Sequence, residues 1–169
     1  MVEYDTVLMG GRRQALFGLW HRRKVMFSDG EVELILSSAG FLEEGSGIRD
    51  GYTFDICLPR LKKPVGYISL RLGESPALYY LGHIGYRVHR DFRGHSYARK
   101  ALALLIPLMR KEELLHPVIT TNIDNWPSRR TCEKLGCRLE HIAPVPLEHR
   151  EVCSGAEYKC RYILCIKPE

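Results

Sequence analysis

Short apolar runs rich in β-branched and aromatic residues alternate along the chain with stretches in which apolar residues recur every three or four positions. The first kind predicts strands over residues 32–36, 52–58 and 65–72. A connection holding Gly40, Gly45, Gly47 and Gly51 separates the first two. The second and third are joined through Pro59 and Pro64 at hairpin-like spacing, so they are expected to run antiparallel. A fourth strand is expected over residues 82–89. The second kind of pattern predicts a helix over residues 96–115, whose Ala98, Ala101, Leu102, Leu105, Leu108 and Met109 recur at helical spacing. Pro107 inside it opposes the carbonyl of Ala103, and a kink is expected there. Residues 118–123 read as a short buried strand and residues 127–135 as a second helix. Asn125 is placed to cap that helix, Pro127 fits its first turn and Gly136 its end. Strands over residues 137–142 and 158–166 follow, with a proline-containing loop over residues 144–155 between them. Near the N-terminus, Ala15, Leu16, Phe17, Leu19 and Trp20 lie between Arg12, Arg13 and His21, Arg22, Arg23, Lys24, as in one amphipathic helix of an extension over residues 1–30. The sum is an α+β, or mixed α/β, architecture: one sheet with helices on both faces.

With 169 residues the chain has the size of one domain that buries its own core, and residues 1–169 are read as such. Apolar residues at 45% and charged residues at 27% exclude a disordered, fibrous or membrane chain. No apolar run approaches the roughly 20 residues of a membrane helix, and Gly10-Gly11-Arg12-Arg13 stands where a signal peptide would place its apolar core. A cytoplasmic location without membrane partners is therefore expected. The six cysteines (57, 132, 137, 153, 160 and 165) form no C-x-x-C pair, so free thiols and no metal are expected. A net charge of +5 favours anionic partners, and the phosphates of a cofactor satisfy it as well as a polymer does. The basic residues 12–24 read as a solvated helix face, and since no aromatic ladder accompanies them a nucleic-acid partner is not expected.

Chemistry enters at Val88-His89-Arg90-Asp91-Phe92-Arg93-Gly94-His95-Ser96-Tyr97-Ala98-Arg99, which passes from a strand through a tight turn into a helix N-terminus. Unpaired N–H groups of a first helical turn, the helix dipole and a glycine that admits close approach together bind anions. A second element follows at the right distance: Asn125-Trp126-Pro127-Ser128-Arg129-Arg130-Thr131-Cys132-Glu133-Lys134-Leu135-Gly136-Cys137. The first element resembles the pyrophosphate motif R-G-x-G-x-A of the GNAT superfamily of acetyl-CoA-dependent N-acetyltransferases. The second resembles that superfamily's N-x-x-S-x-x-x-Y-E-K-x-G-F signature, and Gly82-His83-Ile84-Gly85-Tyr86 resembles one subset of its small members.

The resemblance implies a mostly antiparallel sheet of about seven strands with splayed parallel central strands, and acetyl-CoA as cosubstrate without a metal. It implies that Tyr86, Arg87 and Val88 pair through their main chain with the peptide-like pantetheine arm, which enters between strands splayed at Val88 and Ile119. Arg93, Gly94, His95, Ser96, Tyr97 and Ala98 would wrap the pyrophosphate, Asn125 would contact the arm, and Ser128 and Arg129 would lie near its thiol or nucleotide end. The sequence departs from the pattern at Asp91, at Ser96, which replaces the second glycine, and at Cys132, which stands where many relatives carry a tyrosine that reprotonates the thiolate. Ser128, Cys132 and His83 are the catalytic candidates, His83 as the base that accepts the ammonium proton, with Glu33 and Asp55 as fallbacks; the Val88 N–H is the oxyanion donor. The acceptor pocket is expected from residues 41–52 and 144–155, where Glu43, Glu44, Asp50, Glu148 and Glu151 suit a cationic amine. The expected reaction is direct acetyl transfer to the primary amine of a small molecule or peptide, with a second copy of the chain a further candidate partner. The alternatives are a non-catalytic acyl-CoA sensor and an RNA-associated protein acting through its basic N-terminal helix.

Overall fold

The computed structural model describes residues 25–40, 50–61 and 63–168. One sheet holds eight strands, β1 (Val25–Ser28), β2 (Glu33–Ala39), β3 (Asp50–Cys57), β4 (Gly66–Leu72), β5 (Ile84–Val88), β6 (Val118–Asn122), β7 (Arg138–Pro144) and β8 (Tyr158–Ile163). Their order is β1-β2-β3-β4-β5-β6-β8-β7, and every neighbouring pair is antiparallel except β5 with β6. The helices are α1 (Pro76–Leu81), α2 (Tyr97–Leu104), α3 (Ile106–Lys111) and α4 (Trp126–Lys134). This is the mixed α+β sheet expected, with one strand more than the seven anticipated.

The differences from the sequence pattern have local causes. Residues 25–28 join the sheet as an edge strand beside β2, so the N-terminal extension is not helical to residue 30; the helix expected over residues 12–24 lies outside the described residues. The helix α1 was hidden in what read as the approach to a strand. Ser75 accepts the Leu78 N–H at 3.0 Å, Pro76 sits in the first turn, and the helix ends at Gly82. The helix expected over residues 96–115 is two helices broken at Leu105 and ending at Lys111. Pro107 lies in the first turn of α3, where its missing N–H has no intrahelical role, so the proline starts a helix rather than bending one.

Helices cover both faces. Tyr162 and Arg161 are successive residues of β8 and point to opposite sides. Tyr162 bonds to Arg129 and Glu133 of α4, each at 3.2 Å, while the Arg161 guanidinium lies 3.6 Å over the Tyr79 ring of α1. On the α4 side, Phe54, Ile56, Ile68, Leu70, Ile84, Leu102, Leu105, Met109, Ile119, Cys132, Cys160 and Tyr162 belong to one buried core under α2, α3 and α4. That packing fixes how β5 and β6 sit beside the helices that follow them.

Candidate active site

The centre of the sheet is incomplete. The bonds from Arg71 N–H to the His83 carbonyl (2.7 Å) and from His89 N–H to the Val65 carbonyl (2.8 Å) set the phase of the β4–β5 ladder. With Tyr67 opposite Arg87 and Ser69 opposite Gly85, the main-chain groups of Gly85 and Arg87 face β4, and those of Ile84, Tyr86 and Val88 face β6. Yet β5 and β6 pair in register only at Ile84 and Ile119. At the joined end, His83 N–H donates to the Val118 carbonyl at 2.8 Å, and Gly82 bridges Ile119. Gly82 must be glycine here: its φ is +74°, and a Cβ would stand 2.9 Å from the Val118 oxygen. Toward Val88 and Asn122 no further pair forms, so the strands are splayed there. Ile119 lies at the closed end of this splay rather than in its opening, where the motif reading put it. Continuing the register sets Thr121 across from Tyr86; Thr121 is buried, and its Oγ1 has no hydrogen-bond partner among the described residues.

Beyond Val88 the chain makes a 3-10 turn, Arg90–Phe92, and enters α2 through Arg93, Gly94, His95 and Ser96. Arg93 Nε donates to the Val88 carbonyl at 3.1 Å and closes the turn. Gly94 has φ +90° and is exposed, and a Cβ there would meet no atom within 4 Å. Ser96 adopts the left-handed conformation, φ 61° and ψ 19°, at the N-cap, a geometry that glycine takes more cheaply. Among the described residues no hydrogen bond uses the N–H groups of Gly94, His95, Ser96, Tyr97, Ala98 or Arg99. Six amides without hydrogen-bond partners at a helix start are the arrangement that physical chemistry expects of an anion cradle. Lys100, one turn further, is ion-paired to Glu31.

The helix after β6 supplies the other wall. Asn125 caps α4 by accepting the Ser128 N–H at 3.2 Å, as its position in the motif predicts. Arg129 is held within the chain: Nε donates to Tyr162, Nη1 donates to the Ile123 carbonyl at 3.0 Å, and the guanidinium lies 4.3 Å over the Trp126 ring. Ser128 Oγ and the Tyr86 hydroxyl are 2.8 Å apart.

The family model described as the acetyltransferase (GNAT) domain matches residues 14–138. The chain belongs to the GNAT acetyltransferase domain family. Solved structures agree on the fold. The ribosomal-protein-S5-alanine acetyltransferase from Vibrio fischeri superposes with a TM-score of 0.54 at 20% identity, over 68% of this chain and 61% of that one. The microcin C7 self-immunity acetyltransferase in complex with acetyl-CoA and AMP gives 0.51 at 20% identity, over 69% and 61%. The ribosomal L7/L12 α-N-protein acetyltransferase in complex with coenzyme A gives 0.55 at 18%, over 70% and 64%. The chain thus spans under two thirds of the length of each of these three relatives. No curated protein matches it significantly.

Within this GNAT fold, Cys132 has no exposed surface. A hydrogen bond with the Cys137 thiol, and then burial, push the Cys132 pKa far above the ordinary thiol value. Beside it lies the Tyr86 hydroxyl, which meets Ser128 of α4 and whose pKa burial raises. Sequence reasoning assigned Tyr86 only a main-chain role, although strand alternation with Ile84 and Val88 already put its ring on the helix side.

His83 lies at the closed end, 7% exposed. Its Nδ1 accepts the Val118 N–H at 3.1 Å, and its Nε2 has no hydrogen-bond partner among the described residues. Burial lowers its pKa, the Glu74 carboxylate pulls it partly back, and the Arg161 and Arg71 guanidinia lower it further. Glu33 on β2 and Asp55 on β3 are separated from β5 by at least β4, so the sheet does not bring them to His83. Asp50 begins β3, Glu148 lies in the 3-10 turn Leu147–His149 after β7, Glu151 follows it on the surface, and Glu43 and Glu44 lie outside the described residues. All six cysteines are free. Among the described residues no helix is long and apolar enough to cross a membrane, and no three His, Cys, Asp or Glu side chains are gathered as a metal site.

Proposed function

We propose that this chain transfers an acetyl group from acetyl-CoA to a primary amine bound in the same complex, with the arm of the coenzyme in the splay between β5 and β6. The observation that carries this reading is the continuity of unmet main-chain groups: those of Tyr86 and Val88 face the opening, and the free amides of residues 94–99 follow directly. An amide-bearing arm ending in a diphosphate fits that order of donors and acceptors, and Thr121, across from Tyr86, has a buried hydroxyl without a hydrogen-bond partner among the described residues. Two of the relatives carry acetyl-CoA or coenzyme A in their solved structures.

Acetyl-CoA supplies an activated thioester. Transfer forms one C–N bond and breaks one C–S bond; the nitrogen gives up a proton and the sulfur takes one. The Val88 N–H faces the opening and serves as the fixed donor for the carbonyl oxygen, a contribution of about 3 kcal/mol in comparable sites. The sulfur's proton comes from the Tyr86 hydroxyl, held by Ser128 with Cys132 packed behind it as a buried thiol, and the proton that the nitrogen gives up passes to solvent and restores that hydroxyl. His83 is read here as a positioning residue and not as the base. The lone pair of its neutral ring is committed to the Val118 N–H, so its proton sits on Nε2 and it pins β5 to β6 at the closed end.

Calorimetric titration with acetyl-CoA, followed by thiol release over an amine panel, tests the assignment. One-to-one binding is expected, and at least about tenfold weaker binding by Gly94→Val, whose side chain would strain a backbone at φ +90° and fill the cradle. Absence of binding by the unaltered protein would sink the reading. Binding without turnover on any amine would instead favour the sensor, the second reading, which the lack of a tyrosine at position 132 keeps open.

A further inference from the structure

On the face of the sheet opposite α4, the helix α1 and the turn after β7 border a cavity of about 660 Å³ that lies wide open to solvent. Glu74, Ser75, Pro76, Tyr79, Tyr80, Pro146, Glu148 and His149 line it. Its aromatic wall is continuous: the Tyr79 and Tyr80 rings meet edge to face at 4.9 Å, and the His149 ring lies 5.2 Å from Tyr80. Neither Glu74 nor Glu148 has an ion-pair partner among the described residues, and the cations nearest to the wall are already engaged. Arg161 bonds to Glu140 at 2.8 Å and stacks on the outer Tyr79 ring, and Arg150 pairs with Glu157 at 3.2 Å. The cavity thus brings two carboxylates without ion-pair partners among the described residues to the Tyr80 ring and to the one Tyr79 face that Arg161 leaves uncovered, on a chain whose net charge is +5.

Its position ties it to the splay. Glu74 lies close enough to act on the ring of His83, the residue that joins β5 to β6, and Thr120 Oγ1 on β6 donates to the Leu81 carbonyl at the end of α1. The anion cradle and the Tyr86 hydroxyl lie on the α2 and α4 side, so a molecule in the cavity approaches the closed end of the splay from the other face of the sheet. The attacking nitrogen must be neutral when it reacts. Two carboxylates and a tyrosine pair are therefore of use to a charge that the acceptor keeps, held by ion pairing and by cation–π contact.

We propose that this cavity is the acceptor site and that it selects amines carrying a second positive charge, as polyamines do. The inference rests on the acetyl-transfer reading above and adds the acceptor class and the residues that choose it, Glu74, Glu148, Tyr79 and Tyr80. Of these, sequence reasoning singled out only Glu148.

The test uses the full chain and three probes: acetyl-CoA, spermidine, and 3-aminopropanol as an amine with a neutral tail. With acetyl-CoA present, spermidine is expected to give a kcat/KM at least about tenfold above 3-aminopropanol. In E74Q/E148Q that ratio should fall about fivefold to tenfold through KM, the size expected for losing two solvent-exposed ion pairs, with the Kd for acetyl-CoA unchanged. Equal use of the two amines by the unaltered protein, or a ratio that survives the double substitution, overturns the proposal. Spermidine titrated calorimetrically without acetyl-CoA reads the cavity by itself. Heat that vanishes in E74Q/E148Q keeps the cavity even if acetyl-CoA fails to bind, and no heat with the unaltered protein removes it.

Discussion

Tyr86 is the residue on which the proposed chemistry turns. Its main chain faces the splay while its ring crosses to α4, where the hydroxyl meets Ser128 at 2.8 Å. Replacing it with Phe removes one oxygen and leaves the strand intact. Positioned acids contribute roughly 100-fold to 10,000-fold, so Tyr86→Phe should lower kcat by about 100-fold or more with the acetyl-CoA Kd unchanged. A kcat within about threefold of the parent would remove Tyr86 as the acid. His83 makes a different prediction. Its folded pKa lies below the ordinary 6.5 because burial and the Arg161 and Arg71 guanidinia outweigh Glu74. Below pH 6.5 the unfolded chain therefore takes up more protons than the folded one, and stability contributed by the neutral ring is complete above 6.5 and is lost as pH falls. Urea unfolding at pH 5 and 7.5 should show that loss, and a smaller one in His83→Gln; identical pH slopes would contradict it.

At the scale of elements, what could be read from the chain was what local chemistry specifies alone. The β-branched run of β6 and the cap, proline and glycine around α4 carry their structure in neighbouring residues, and they form within one residue of where the pattern puts them. The elements that escaped depend on distant partners. Six residues of α1 are too few to show a helical period, and the helix is held by packing against β6 and by Arg161 from the far end of the chain. β1 exists because β2 offers it an edge. The break at Leu105 was misread because one proline can end a helix or begin one, and nothing local decides which. The same division runs through the site. The phosphate turn was legible because one stretch builds it, whereas the Tyr86–Ser128 contact spans 42 positions and the cavity joins residues 74–80 to 146–149.

Across the whole molecule, the sheet consists of two ladders, β1 to β5 and β6 with β8 and β7, held in register by one residue pair and by the helices packed over them. If the coenzyme arm occupies the gap, the amides of Tyr86 and Val88 and those of residues 94–99 should exchange with solvent deuterium more slowly when acetyl-CoA is added. The amides of Arg87 and His89, which face β4, should not respond. Uniform slowing across the sheet, or none at the gap, would place the arm elsewhere.

Strand margins with open amides and carbonyls invite other chains to add on, which is why soluble proteins blunt them at their periphery. This fold keeps such margins in its middle, where the join at Gly82, His83 and Val118 shuts one end and α2 and α4 roof one side. A foreign polypeptide strand has no way to lie down there; a thin, unbranched guest threaded from the open end does. The architecture thus turns what is elsewhere a hazard of self-association into a filter on guest thickness, imposed before any side chain is consulted.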